Sequence, residues 1–127
     1  MDDVTHFLRG EGLQPAAQRF LGSDFLLGYR IATEHFVLIY RQEGERLLLC
    51  DFAAATADGQ AVIALRTLVR RIASAVPAVR YVDAMILTAP HDAALNRARE
   101  RLADLMLAEG AQPIVLQDEQ WLRYRCH

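Results

Sequence analysis

Residues 46–88 set the tightest limit on how this chain can fold. An apolar run at 46–52 leads, past Gly59, into a segment in which Val62, Leu65, Val69, Ile72 and Val76 recur at three- and four-residue steps. Those steps put five apolar side chains on one face of a helix over 60–76 and leave Arg66, Arg70 and Arg71 elsewhere on the wheel. Thr56 or Asp58 is placed to cap it and Pro77 to stop it. A second apolar run, 81–88, follows. Strand, helix and strand in that order imply a parallel pair joined by a right-handed crossover.

The flanking segments add antiparallel pieces. Runs at 25–31, 35–41 and 46–52 read as a three-stranded meander, with Gln42-Glu43-Gly44-Glu45 as turn chemistry between the last two. The middle run is apolar on both alternating faces, which predicts a strand covered on each side. Residues 3–9 read as a short helix capped by Asp2 or Asp3 and stopped at Gly10 or Gly12, and Pro15 opens a second helical turn through residue 20. A later helix begins at His91 or Asp92 and ends at Gly110, with Leu95, Ala98, Leu102 and Leu105 inward. Runs at 112–117 and 121–126, joined by Asp118-Glu119-Gln120, make a closing hairpin. The expected fold is α/β (α+β), a single mixed, mostly antiparallel sheet flanked by helices in the order α-β-β-β-α-β-α-β-β. The 127 residues read as one continuous domain, because no linker or low-complexity tract divides them.

Composition narrows the function classes. A formal charge of -2 gives no global field to attract nucleic acid or anionic lipid. No apolar run reaches the roughly 18 residues of a membrane span, and Met1-Asp2-Asp3 lacks the basic-then-apolar order of a secretion signal, so the expected compartment is the cytoplasm. All basic residues are Arg and none is Lys, which fits a GC-rich genome. Cys50 and Cys126 form no Cys-x-x-Cys pair and read as buried thiols in strands. His6, His35, His91 and His127 share no metal-ligand spacing, and Ser23 and Ser74, the only serines, lie in no nucleophile motif. No metal and no cofactor is expected.

Two constellations remain. Asp51 follows an apolar strand and reads either as a general base or as a strand-end carboxylate meeting solvent or an arginine. Arg66, Arg70 and Arg71, with Arg80 after the helix, form the one local charge excess, since no acidic residue occurs between Asp58 and Asp83. Arg66 and Arg70 lie one turn apart and present two guanidinium forks to one surface. That face reads either as a solvated exterior or as a docking surface for an acidic protein segment. Four charges on an acidic chain attract a duplex only weakly, so nucleic acid is not the expected partner. Trp121 and Tyr124, on the closing hairpin, are the aromatic candidates for a protein interface.

The order of elements resembles the core of the GNAT superfamily of N-acetyltransferases, in which one strand splays from its neighbour and acetyl-CoA lies in the gap. The signature of that family before its pyrophosphate-binding helix, Gln/Arg-x-x-Gly-x-Gly/Ala, aligns with Thr56-Ala57-Asp58-Gly59-Gln60-Ala61. Under that resemblance Gly59, Gln60 and Ala61 would hold the cofactor pyrophosphate. Thr56 replaces the long donor, Asp58 sets a carboxylate where an anion docks, and Met106 stands at the position of the family's proton-donating tyrosine. A narrower resemblance is to the low-calcium-response regulator family LcrR of type III secretion systems. It is carried by the Ala-rich helix at 61–76, Val82-Asp83-Ala84-Met85, Arg101-Leu102-Ala103-Asp104, Gly110-Ala111 and the aromatic strand starting at Trp121. It implies a non-enzymatic regulatory or accessory protein of a bacterial secretion system that binds another protein. An acyl-CoA-dependent N-acetyltransferase with altered catalytic residues is the alternative. A secretion chaperone is a third reading, although such proteins have a different element order.

Overall fold

The computed structural model describes residues 2–19, 23–55, 59–85 and 91–126. Its elements are α1 (Asp3–Gly10), β1 (Ala16–Arg19), β2 (Leu26–Ala32), β3 (Phe36–Glu43), β4 (Arg46–Ala54), α2 (Gln60–Ala75), β5 (Tyr81–Ala84), α3 (Ala93–Ala108), β6 (Gln112–Leu116) and β7 (Glu119–Arg125). The strands form one seven-stranded sheet in the order β1-β2-β3-β4-β5-β7-β6. Only β4 and β5 pair in parallel, across the α2 crossover, and every other pair is antiparallel. The mixed, mostly antiparallel sheet with helices is the architecture that the periodicity predicts.

Three local expectations change. The helical turn expected after Pro15 is strand β1, which pairs Ala16 with Arg30 and Ala17 with Tyr29. Four residues are too few to sustain a helix, and the edge of β2 offers them a ladder instead. The closing turn is Gln117-Asp118, with φ of 51° and 64°, so β7 starts at Glu119 rather than after Gln120. Two residues at positive φ match the twist of the flanking strands and let the ladder run on. β5 ends at Ala84, and the rest of the strand expected up to residue 88 is Met85, outside any strand, and residues 86–88, outside the described residues. The candidate caps of α2, Thr56 and Asp58, also lie outside them. Asp2 caps α1 through Thr5 N, and Asp92 caps α3 through Leu95 N.

The register sorts side chains onto two unlike faces. One carries Ile31, Leu38, Tyr40, Leu49, Phe52 and Val82, and the buried residues of all three helices join them in one cluster. Leu49 and Phe52 are three apart yet share this face, because the register slips by one residue at Cys50, between the pairs Ile39↔Asp51 and Tyr40↔Leu49. α1 is pinned here by polar contacts: Thr5 Oγ1 lies 2.8 Å from Tyr40 Oη, and Val4 N donates to Gln42 Oε1 at 3.1 Å. α3 turns Met106 inward more fully than Leu105, which stays half-buried.

No described helix joins the core from the opposite face, so the expectation of a central strand covered on both sides is corrected. Phe36, Leu38 and Tyr40 of β3 are buried, whereas Val37 and Ile39 are half-buried. What covers this face instead is arginine. The pairings Arg41↔Leu48, Leu48↔Asp83 and Asp83↔Arg123 set four residues in a row across β3, β4, β5 and β7. Leu48 is 2% exposed and Asp83 0%. Arg41 and Arg46 line a recess with Leu48, and the heads of Arg41, Arg46 and Arg123 meet Glu43 and Asp83, so long arginine side chains stand on this face where a second helical layer would pack. Cys50, in the β4 bulge, and Cys126, just beyond β7, are half-buried rather than fully buried, and burial pushes both thiols up.

Candidate functional site

The arginine ridge of α2 is not a free positive surface. Arg66 and Arg70 project from successive turns and converge on Glu109, the residue that caps the C-terminus of α3: Arg66 Nη1 lies 3.5 Å and Arg70 Nη2 3.0 Å from the same oxygen, Oε1. Arg71 pairs with Glu11 beyond α1, and Arg80 lies 3.9 Å from Glu45 in the β3–β4 turn. The sequence shows no acid within the segment itself, and the fold brings one to each of these arginines from a distant part of the chain. Glu109, Glu11 and Glu45 are therefore the site residues that linear reading misses. No local pattern signals them, since these contacts cross 39 and 43 residues at Glu109 alone.

Beneath the Arg66–Arg70–Glu109 triad lies a small cavity of about 50 Å³ between α2 and α3. Its walls are Leu65, Val69, Leu102, Leu105 and Met106, its floor is Leu49 and Val82, and Tyr124 closes one side. Among the described residues the three charged side chains are its only ionic lining, so the arrangement is an apolar slot with a charged mouth. Tyr124 reaches it because β7 pairs Tyr124 with Val82, on the helix-covered face. Trp121 does not. Three residues away on a strand, it faces the other way and lines a polar recess with Arg41, Arg46 and Leu48. The two aromatic candidates therefore belong to different surfaces, and the structure gathers Arg66, Arg70 and Tyr124 while leaving Arg80 and Trp121 apart.

On the arginine-covered face, Asp83 is the group that the sequence understates. A carboxylate in the strand Tyr81-Val82-Asp83-Ala84 was the available signal. Arg46 Nε donates to Asp83 Oδ2 at 2.7 Å, and Arg123 donates from Nε and Nη2 at 2.9 Å each. Burial pushes this carboxyl up, but the hydrogen bonds from Arg123 and Arg46 overcome that and hold it below its ordinary value. Arg123 also stacks over the Tyr81 ring at 4.6 Å. This is a structural network with every carboxylate oxygen engaged.

The positions suggested by the acetyltransferase resemblance lie at the end of the parallel pair. β5 stops at Ala84 while β4 continues to Ala54, so β4 has no β5 partner beyond Leu49 among the described residues. Arg99 of α3 reaches β4 there: Nε donates to Phe52 O at 3.3 Å and Nη2 to Asp51 Oδ1 at 2.7 Å, with the arginine only 12% exposed. Asp51 thus meets an arginine, as expected of a structural carboxylate, but inside β4 rather than at its end, since three more paired residues follow it. Gly59 starts α2 at φ 80° with no side-chain cap, Gln60 is exposed and Ala61 is buried. His6 and His91 are exposed, and His35 lies beside Glu34 at 3.4 Å. Among the described residues no cluster of His, Cys, Asp and Glu is arranged to hold a metal ion, and no helix is long and apolar enough to cross a membrane.

None of the family models, curated proteins or solved structures compared with the chain matches it.

Proposed function

We propose that this chain is a non-enzymatic protein-interaction module that docks an acidic segment of another protein over the α2–α3 cleft. The observation that carries the reading is the slot itself: an apolar cavity whose mouth holds two guanidiniums and one carboxylate, a local charge of +1 on a protein of net charge -2. Its size decides the kind of occupant. Dry cavities that admit benzene measure about 150 Å³, and sites for cofactors are several times larger. A slot of about 50 Å³ suits the tip of one aliphatic side chain. The resemblance to the LcrR family adds the setting, a cytoplasmic regulatory or accessory role in a type III secretion system, for which genes of the secretion apparatus beside the coding sequence are the expected context.

Selection of a random peptide library on the immobilised chain tests the docking. Peptides that pair acidic residues with an aliphatic one are expected, and the double variant Arg66→Glu, Arg70→Glu, shown folded by circular dichroism, is expected to lose them. Recovery of the same peptides by the variant removes the cleft from consideration.

One observation favours the second reading, an acyl-CoA-dependent N-acetyltransferase: among the described residues the parallel pairing ends at Leu49 and Ala84 while β4 runs on to Ala54, and α2 follows β4 in the chain, starting after Gly59. Arg99 already fills hydrogen-bonding positions along that part of β4, which favours the first reading. Calorimetry distinguishes them. Tight binding of acetyl-CoA with thiol release on incubation with amines supports the enzyme, and no heat supports the interaction module.

A further inference from the structure

The carboxylate at the mouth of the cleft is placed against its own helix. Glu109 is the C-cap of α3, and its N–H closes onto the last carbonyls of that helix. A negative charge there opposes the helix dipole, whose C-terminal end favours cations. Nothing in α3 calls for an acid at this position. What holds it is α2, through two arginines that both reach one oxygen and leave the pair over-supplied with donors. Arg66 in particular is under-filled. Its Nη1 contact is long at 3.5 Å, and its Nε is buried with no hydrogen-bond partner among the described residues. A guanidinium binds a carboxylate best through two parallel N–H groups, and Glu109 gives Arg66 only one long contact in place of that pairing.

We infer that Glu109 is an internal stand-in for a carboxylate of the partner: an acidic side chain of the docked segment takes over Arg66 and Arg70, Glu109 swings out to water, and an aliphatic side chain beside that acid enters the slot. This rests on the docking reading above. Glu109 is 22% exposed and the two arginines more so, which gives an incoming group access to the triad from solvent. Leaving places the Glu109 charge in water, away from the carbonyl end of α3, so the exchange swaps one carboxylate for another and adds an apolar contact. The internal pair therefore lowers affinity for every acidic segment and lets through those that also fill the slot.

Fluorescence anisotropy on the full chain tests this, with a labelled peptide of alternating aspartate and leucine as probe. The variant Glu109→Gln removes the competitor and keeps the shape, so it should bind the probe about two- to fivefold more tightly, the range that corresponds to a partly exposed ion pair. Glu109→Ala should shift it the same way, and both should show a steeper loss of binding with salt because two cations are now free. Probes with asparagine for aspartate or with alanine for leucine should bind more weakly than the parent. If Glu109→Gln binds no better than wild type while Arg66→Glu, Arg70→Glu abolishes binding, the stand-in role is overturned and docking stands. Equal binding by all variants overturns both, and no binding of the probe to wild type overturns the inference, leaving the docking reading to the library selection.

Discussion

Arg123 grips Asp83 with two parallel hydrogen bonds of 2.9 Å, Nε to Oδ1 and Nη2 to Oδ2, across the β5–β7 pair. Arg46 completes the set from β4 at 2.7 Å. Removing the acid leaves two cations facing each other over a sealed strand, so Asp83→Ala should lose about 2–4 kcal/mol, somewhat below a fully buried pair because the arginines are a quarter exposed and can turn to water. The carboxyl is depressed in the folded state, so its contribution is complete above the ordinary value of 3.8 and is lost as pH falls through the lower folded value. Urea midpoints measured against pH should show a steeper acid-side fall for wild type than for Asp83→Asn. Matching slopes would place the acid sensitivity elsewhere.

Tyr40 sets the alkaline limit. Burial pushes its phenol up from 10.0 to about 12, against the opposing effect of the hydrogen bond with Thr5. The folded protein keeps this proton where the unfolded chain has lost it, so its share of stability is full below pH 10 and declines as pH rises to about 12. Tyr40→Phe should flatten that decline. It should also cost only about 1 kcal/mol at neutral pH, because the Thr5 hydroxyl still donates to Asp2 at 2.9 Å. Thermal unfolding of both proteins across the alkaline range reads the difference.

Gly28 is required by its neighbour rather than by its backbone angle. A β-carbon there would collide with the Tyr40 carbonyl oxygen and lie 3.0 Å from its carbon, both main-chain atoms that cannot turn aside. Gly28→Ala should therefore force β2 away from β3 and lose about 2 kcal/mol or more. Denaturant titration checks it, and unchanged stability would mean that the strands can spread at no cost.

Trp121 is the single tryptophan and lies on the face away from the α2–α3 cleft. Saturating the protein with the aspartate–leucine probe should leave its emission unchanged, whereas a contact on the arginine-covered face should shift or quench it. A shift in wild type, together with weaker binding of the labelled probe by Trp121→Phe in the anisotropy assay, would relocate the docking surface to that face.

The sequence by itself determined the longer elements and their order, but not β1, whose four residues carry no period of their own and become a strand only by pairing with β2. Periods of 3.6 and 2 are local properties of the chain, so the helix at 60–75, the meander and the parallel crossover are legible from side-chain spacing alone. The ridge of Arg66 and Arg70 is legible for the same reason. Which carboxylate meets that ridge is not, because Glu109 is near it only after α3 has packed beside α2. The tertiary structure also decided that one sheet face is roofed by arginines instead of helices: the alternation in β3 shows two apolar faces, but the row from Arg41 to Arg123 exists only in the paired register. Trp121 and Tyr124 are both legible as aromatics of the closing hairpin, and the pleat, which sends residues three apart to opposite sides, places them on different faces of the sheet. Local periodicity fixes what each of the longer segments becomes, and the long-range register, set by burial of the apolar face, fixes which charges meet.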